Sequence, residues 1–249
     1  MSGHSHWATI KHKKGAADAK RGRLWSKIAR MIIVAAKAGG GDPNSNLTLR
    51  YAIDKAKGAN MPKDTIEKAI KRGTGEIEGA SFESIQYEGY GPSGVAIVVE
   101  VLTDNRNRTG PEVKRIFEKH NGSLGTPGCV NWMFNKKGVI TVATSSIAED
   151  DLMELALGAG AEDMANTGEV YEITCDPSAY EQLKKALEAK AIPLQTAEIS
   201  MVPQTLVPIT TPEVARKIIN LMEAIDDHDD VQNAYANFDI SAEVMAKVQ

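Results

Sequence analysis

At 249 residues, 42% hydrophobic and 25% charged, the chain is too long for one small module and too apolar for a disordered one, so two or three folded domains are expected. No apolar run reaches the roughly 20 residues that a bilayer crossing needs, and the opening segment is basic where a signal peptide is apolar, so the expectation is a cytoplasmic protein with no membrane partner. The net charge of −4 conceals a split: residues 1–75 hold 16 Lys and Arg against 5 Asp and Glu, a balance of +11, whereas residues 76–249 carry −15.

The spacing predicts a helix over 16–38, with Leu24, Ile28, Ile32 and Ala35 on one face and Trp25, Ala29, Ile33 and Ala36 beside it. Lys20, Arg23, Lys27, Arg30 and Lys37 recur along the opposite side with no carboxylate between them. Gly39–Gly41 end this helix. A second helix is expected over 45–57 with Leu49, Ile53 and Ala56 inward, and a third opens at Pro62 and closes near Gly73. Residues 73–79, polar and glycine-rich, read as a linker.

Beyond the linker, strands are expected at 82–90 and 94–102, a helix at 111–120, and two strands at 130–134 and 139–143 around a turn at Asn135–Gly138. Strand 139–144, helix 149–158, strands 161–165 and 170–175, helix 177–190 and strand 194–202 then follow the β-α-β-β-α-β order of a ferredoxin-like plait. A helix at 212–225, the acidic turn 226–230 and a strand at 231–238 return to the sheet begun at Phe82. The expected fold class is therefore α+β and multidomain: a basic three-helix domain (1–75), a middle α+β domain (80–134 with 204–249), and a ferredoxin-like domain (135–203) inserted in it.

Gly89-Tyr-Gly-Pro-Ser-Gly94 matches GxGxxG, but the element that follows is a valine-rich strand where a dinucleotide site needs a helix, so it reads as a hairpin loop. His4, His6 and His12 lie in a segment without scaffold or cysteine partners, and protonation or phosphate contact suits them better than a metal. Asp226–Asp230 lacks the glycine and terminal glutamate of an EF-hand loop. Cys129 and Cys175, with no CxxC spacing, read as packing thiols in a reducing compartment. No serine or cysteine sits in a nucleophile elbow and no carboxylate pair asks for acid–base chemistry, so no enzyme activity, cofactor or metal is expected.

What remains is the cationic amino-terminal cluster with interleaved tryptophans: His4, His6, Trp7, Lys11, Lys13, Lys14, Lys20, Arg21, Arg23, Lys27 and Arg30. Lysines supply point charges, arginines supply forks for phosphate, and Trp7 offers a stacking face. A smaller cluster, Arg106 and Arg108 within 104–111, lies between a strand and a helix N-terminus, where guanidinium and backbone N–H groups suit an anion and an ordinary capped turn is the alternative. These residues predict nucleic acid as the partner. Two alternatives stand beside it: the basic domain docks on the acidic remainder of its own chain, or it grips an acidic protein as a scaffold. With no apolar interface evident, a monomer is expected.

Gly3-His-Ser-His-Trp-Ala-Thr-Ile-Lys-His-Lys-Lys14, Asp18-Ala-Lys-Arg21, Tyr87-Glu-Gly-Tyr-Gly-Pro92, Thr103-Asp-Asn-Arg-Asn-Arg-Thr109 and Gly128-Cys-Val-Asn-Trp-Met-Phe134 closely resemble the YebC/PmpR family over nearly the whole chain. His6 stands where that family commonly has lysine, and Cys129 where it has serine. The resemblance implies a three-domain cytoplasmic protein that acts as a DNA-binding transcriptional regulator. It also implies a rival role in translation: mitochondrial relatives are translational activators, and bacterial ones are linked to ribosomes stalled on sequences such as proline runs. Both roles need a polyanion-binding face. With no helix-turn-helix evident, the residues themselves lean toward RNA or the ribosome.

Overall fold

A computed structural model of the chain describes residues 18–248. Helix α1 (Asp18–Gly39), α2 (Leu47–Gly58) and α3 (Lys63–Gly73) bury one apolar cluster, including Ile28, Ile32, Leu49, Ala56 and Ile66. Leu24, placed by its spacing on the inward face, is exposed, because the buried run of α1 begins one turn later at Ile28. Trp25 packs against this cluster and its indole N–H donates to the Ala59 carbonyl at 2.9 Å. Asn46 joins two helices: its side chain accepts from the Leu49 N–H as the N-cap of α2 and donates to the Ala35 and Gly40 carbonyls at the end of α1. Gly73 does more than end α3, since a Cβ there would sit 2.5 Å from the Ile33 carbonyl oxygen; α3 crosses α1 at backbone contact.

Strands β1 (Glu83–Tyr90) and β2 (Ala96–Thr103) form an antiparallel hairpin in register from Glu83↔Thr103 to Tyr90↔Ala96. The GxGxxG stretch is its connection, with a 3₁₀ turn at Pro92–Gly94 and positive φ at Ser93 and Gly94. Helix α4 (Arg106–Lys119) follows, then the short β3 (Ser123–Leu124). The sheet runs β3-β1-β2-β9, with β9 (Val231–Ala236) arriving from the far end of the sequence.

Strand β4 (Phe134–Ala143), α5 (Glu149–Gly158), β5 (Ala161–Asn166), β6 (Val170–Cys175), α6 (Tyr180–Ala189) and β7 (Leu194–Pro203) make a second sheet ordered β5-β6-β4-β7, every pair antiparallel. Numbered within the motif this is 4-1-3-2, the ferredoxin-like order. Strand β8 (Val207–Ile209) pairs in parallel with β10 (Phe238–Ile240); α7 (Pro212–Asp226) and α8 (Ala242–Ala246) complete the described elements. Within the described residues the chain forms two compact units: one draws on the chain up to Cys129 and on Arg216–Ala234, the other on Val130–Ala215 and Tyr235 onward.

Further sequence expectations need correction, the strand over 130–134 among them, since Asn131–Met133 form a 3₁₀ turn ahead of β4. Asn135–Gly138 is no turn: β4 runs straight through it, because Gly138 serves close packing, its Cβ position lying 2.7 Å from Cys175 Sγ and 2.8 Å from the Tyr180 ring. The helix expected from Pro111 starts five residues earlier, capped by the Asn105 side chain on the Arg108 N–H, with Pro111 inside it; the Asn cap overrides the proline signal. The last expected strand breaks at Asn237 into β9 and β10, which join different sheets.

Candidate nucleic-acid interface

His4, His6, Trp7, Lys11, Lys13 and Lys14 lie outside the described residues, and for Lys20 only the helical backbone is described. The rest of the α1 stripe has definite partners. Arg23 stands 3.5 Å from the Asp227 carboxylate with both side chains more than half exposed. Lys27 Nζ donates to the Asp226 carbonyl at 2.5 Å, Arg30 donates to the Asp229 carbonyl and, at 3.0 Å, to Asp230 Oδ1, and Lys37 donates to Ser81 Oγ at 2.6 Å. Arg21 is exposed. A row that reads in sequence as one cationic stripe is therefore, over Arg23, Lys27 and Arg30, the docking edge of α1 on the acidic turn after α7.

Asp230 is the centre of that contact. Its side chain is only 4% exposed, and its two oxygens are divided: Oδ1 accepts from Arg30, while Oδ2 accepts from Arg108 Nη2 at 2.7 Å and from Thr109 Oγ1 at 2.6 Å. An ionised carboxylate only accepts, which orients a relay: the Asn105 N–H donates to Thr103 Oγ1, Thr103 to Thr109, and Thr109 to Asp230. Burial pushes the Asp230 pKa upward, but the hydrogen bonds from Thr109 and Arg108 and the charges of Arg30 and Arg108 outweigh it and hold the group below the usual carboxylate range. The same hydrogen bond and charge raise the Arg108 guanidinium further above its ordinary value. His228 closes the turn: its Nδ1 accepts from the Asp230 N–H at 3.1 Å, so the ring proton sits on Nε2 and points at Glu112, also 3.1 Å away.

Around this hub is an open groove. Arg23 and Arg30 of α1 line it on one side, Arg108, Arg115 and Lys119 of α4 on the other, with Glu112, Asp227, Asp229 and Asp230 among them. Arg108, Glu112, Arg115 and Lys119 stand at i, i+4, i+7 and i+11, one face of α4. Arg115 and Lys119 are exposed and carry no ion pair among the described residues. Sequence reasoning missed these two. Their helical spacing from Arg108 was the available signal, masked because residues 76–249 are acidic as a whole. Arg106, in the first turn of α4, is exposed; Tyr87 near it has its hydroxyl pKa raised, by burial first, against the lowering charge of Arg106.

Other candidate chemistry is quiet. Cys129 and Cys175 are free thiols whose pKa values burial pushes up, which disfavours the reactive thiolate. Among the described residues no three His, Cys, Asp or Glu side chains converge as a metal-ligand set, and no helix is long and apolar enough to cross a membrane.

Residues 5–76 match the family described as the TACO1/YebC protein N-terminal domain, and residues 82–238 match that described as the TACO1/YebC second and third domain. A protein of Geobacter sulfurreducens, named a probable transcriptional regulatory protein, is 56% identical over the full length of both chains, and one of the same name from Trichlorobacter lovleyi is 58% identical over the full length. The crystal structure of a conserved hypothetical protein from Aquifex aeolicus, 48% identical, superposes with a TM-score of 0.86 over 96% of this chain and 99% of that one. The chain belongs to the TACO1/YebC family.

Proposed function

We propose that this protein is a nucleic-acid-binding regulator of gene expression that grips sugar-phosphate backbone along the groove between α1 and α4. The observation that carries this reading is the convergence of Arg23, Arg115 and Lys119 on one open groove whose floor is fixed by the buried Asp230. Lys27 and Arg30 act as anchors that hold α1 in place, and phosphate contact falls to Arg21, Arg23, Arg115 and Lys119, with the basic segment 4–14 adding to them. The names of the full-length relatives support a regulatory role. Cations that meet phosphates release counterions, so affinity falls with salt whether the polymer is DNA or RNA.

The test is a salt titration of binding to duplex DNA and to RNA with the whole chain. Wild type gives a steep fall in log affinity with log salt, and Arg115→Glu with Lys119→Glu removes about 0.9 of slope per lost contact on B-form DNA. A flat salt response, or a double variant with the wild-type slope, overturns the reading. A lysate pull-down that survives nuclease treatment points instead to an acidic protein partner.

A further inference from the structure

Trp132 has no part in the groove, and its setting is unlike that of Trp25. Trp25 lies against the helical core, whereas Trp132 is 65% exposed. We propose that Trp132 is a stacking platform for an unpaired nucleobase, a second contact of the protein with single-stranded nucleic acid. This rests on the nucleic-acid reading above and adds to it a strand preference.

The ring is presented by a fixed piece of backbone. Trp132 sits in the 3₁₀ turn Asn131–Met133, between Val130, fully buried, and Phe134, 5% exposed. The Met133 N–H donates to the Val130 carbonyl at 2.9 Å. Gln204, just past β7, clamps the turn twice: its backbone N–H donates to the Met133 carbonyl at 2.8 Å and its side-chain amide to the Trp132 carbonyl at 2.9 Å. A large ring held out to water on a tied turn loses the burial that normally stabilises tryptophan, and its flat face is left open to stacking.

The surroundings select the partner. A hot-spot tryptophan for a protein usually lies among other apolar side chains, but among the described residues of the same unit the other exposed large apolar side chains are Met153 and Leu157, both on α5. Asn131 precedes Trp132 and half-buried Met133 follows it, with exposed Asn135 and Lys136 next along the chain; the Gln204 side-chain amide donates to the Trp132 carbonyl and lies 3.3 Å from Asn135 Oδ1. Side-chain amides pair with base edges, lysine meets phosphate, and an indole face accepts any base that is not already stacked in a duplex.

The test compares the full chain and its Trp132→Ala and Trp132→Phe variants on an oligoadenylate RNA, the oligodeoxyadenylate of equal length, and the corresponding duplex. Trp132→Ala is expected to lose about 5- to 150-fold in affinity for both single strands, the range of one base–aromatic stack, to keep duplex affinity and salt slope, and to melt at the wild-type temperature; Trp132→Phe retains most single-strand binding. A loss confined to the RNA keeps the stack and restricts it to ribose-containing strands. An alanine variant that binds single strands like wild type, or loses duplex binding equally, overturns the stack while leaving the nucleic-acid reading standing. A wild type that binds none of the three polymers overturns both.

Discussion

The turn Asp226–Asp230 and the stretch 138–183 are both acidic, and they spend their carboxylates differently. The turn faces Arg23, Arg30 and Arg108, and its Asp230 is buried among them. Residues 138–183 hold ten Asp and Glu and no Lys, Arg or His at all. There Glu149, Asp150 and Asp151 occupy the first turn of α5, where the helix dipole favours them, and remain exposed to water. One acidic region is an internal counter-ion that fixes a basic helix; the other places its densest carboxylate run at a helix end in water. Summed charge cannot tell these apart, so the +11 of residues 1–75 overstates the field available to a partner by the cations already engaged with the turn.

The largest effect should come from breaking the first of these. Asp230→Ala leaves Arg30, Arg108 and Thr109 without their shared acceptor, which for a buried pair costs about 3–5 kcal/mol. Arg30 and Arg108 keep 20% and 44% of their side-chain exposure, so the lower end, about 3 kcal/mol, is expected in urea denaturation. The pH dependence has a definite sign. Because the folded pKa of Asp230 is depressed, its contribution is fully present above the unfolded carboxylate value of about 4 and is lost as pH falls through the lower folded value. Asp230→Asn should therefore flatten the acid limb of the stability profile; parallel acid limbs for variant and wild type would remove Asp230 from the role of counter-ion.

A smaller effect tests the other region, whose stability comes from packing. Gly138→Ala puts a methyl 2.7 Å from Cys175 Sγ and 2.8 Å from Tyr180 in a filled core, and overpacking of this kind costs about 1–3 kcal/mol. The loss should not vary with salt. A salt-sensitive loss, or none, would break the contrast between a plait held by apolar contact and a turn held by charge.

How legible these features were in the sequence follows the range of the interaction. The three helices, the hairpin and the plait were readable because periodicity and glycine punctuation are local: helix 149–158 and strand 170–175 coincide with α5 and β6. Gly138 misled because the same residue type serves a turn or a close approach, and only Tyr180, 42 residues on, decides which. Pro111 misled because the Asn105 cap lies outside the pattern that a first-turn proline suggests. The site was half legible: Arg23, Arg30 and Arg108 were singled out, but their meeting at Asp230 spans up to 200 residues of sequence. Spacing on α1 shows a stripe and cannot show that a distant acidic turn covers part of it.

The smallest stability effect carries the sharpest functional consequence. Arg23 and Asp227 are 3.5 Å apart with side chains 51% and 69% exposed, a surface pair whose removal changes stability by less than about 1 kcal/mol. Asp227→Ala should therefore leave the melting temperature nearly unchanged while releasing Arg23 from a competing carboxylate at the groove edge. If Arg23 meets phosphate, the variant binds duplex DNA more tightly than wild type at low salt and gains up to about 0.9 in the log–log salt slope, one contact's worth. Arg23→Ala moves both quantities the other way. Should both variants bind as wild type does, the groove edge at α1 serves only to dock the helix, and the phosphate contacts lie on the α4 row and the segment that precedes α1.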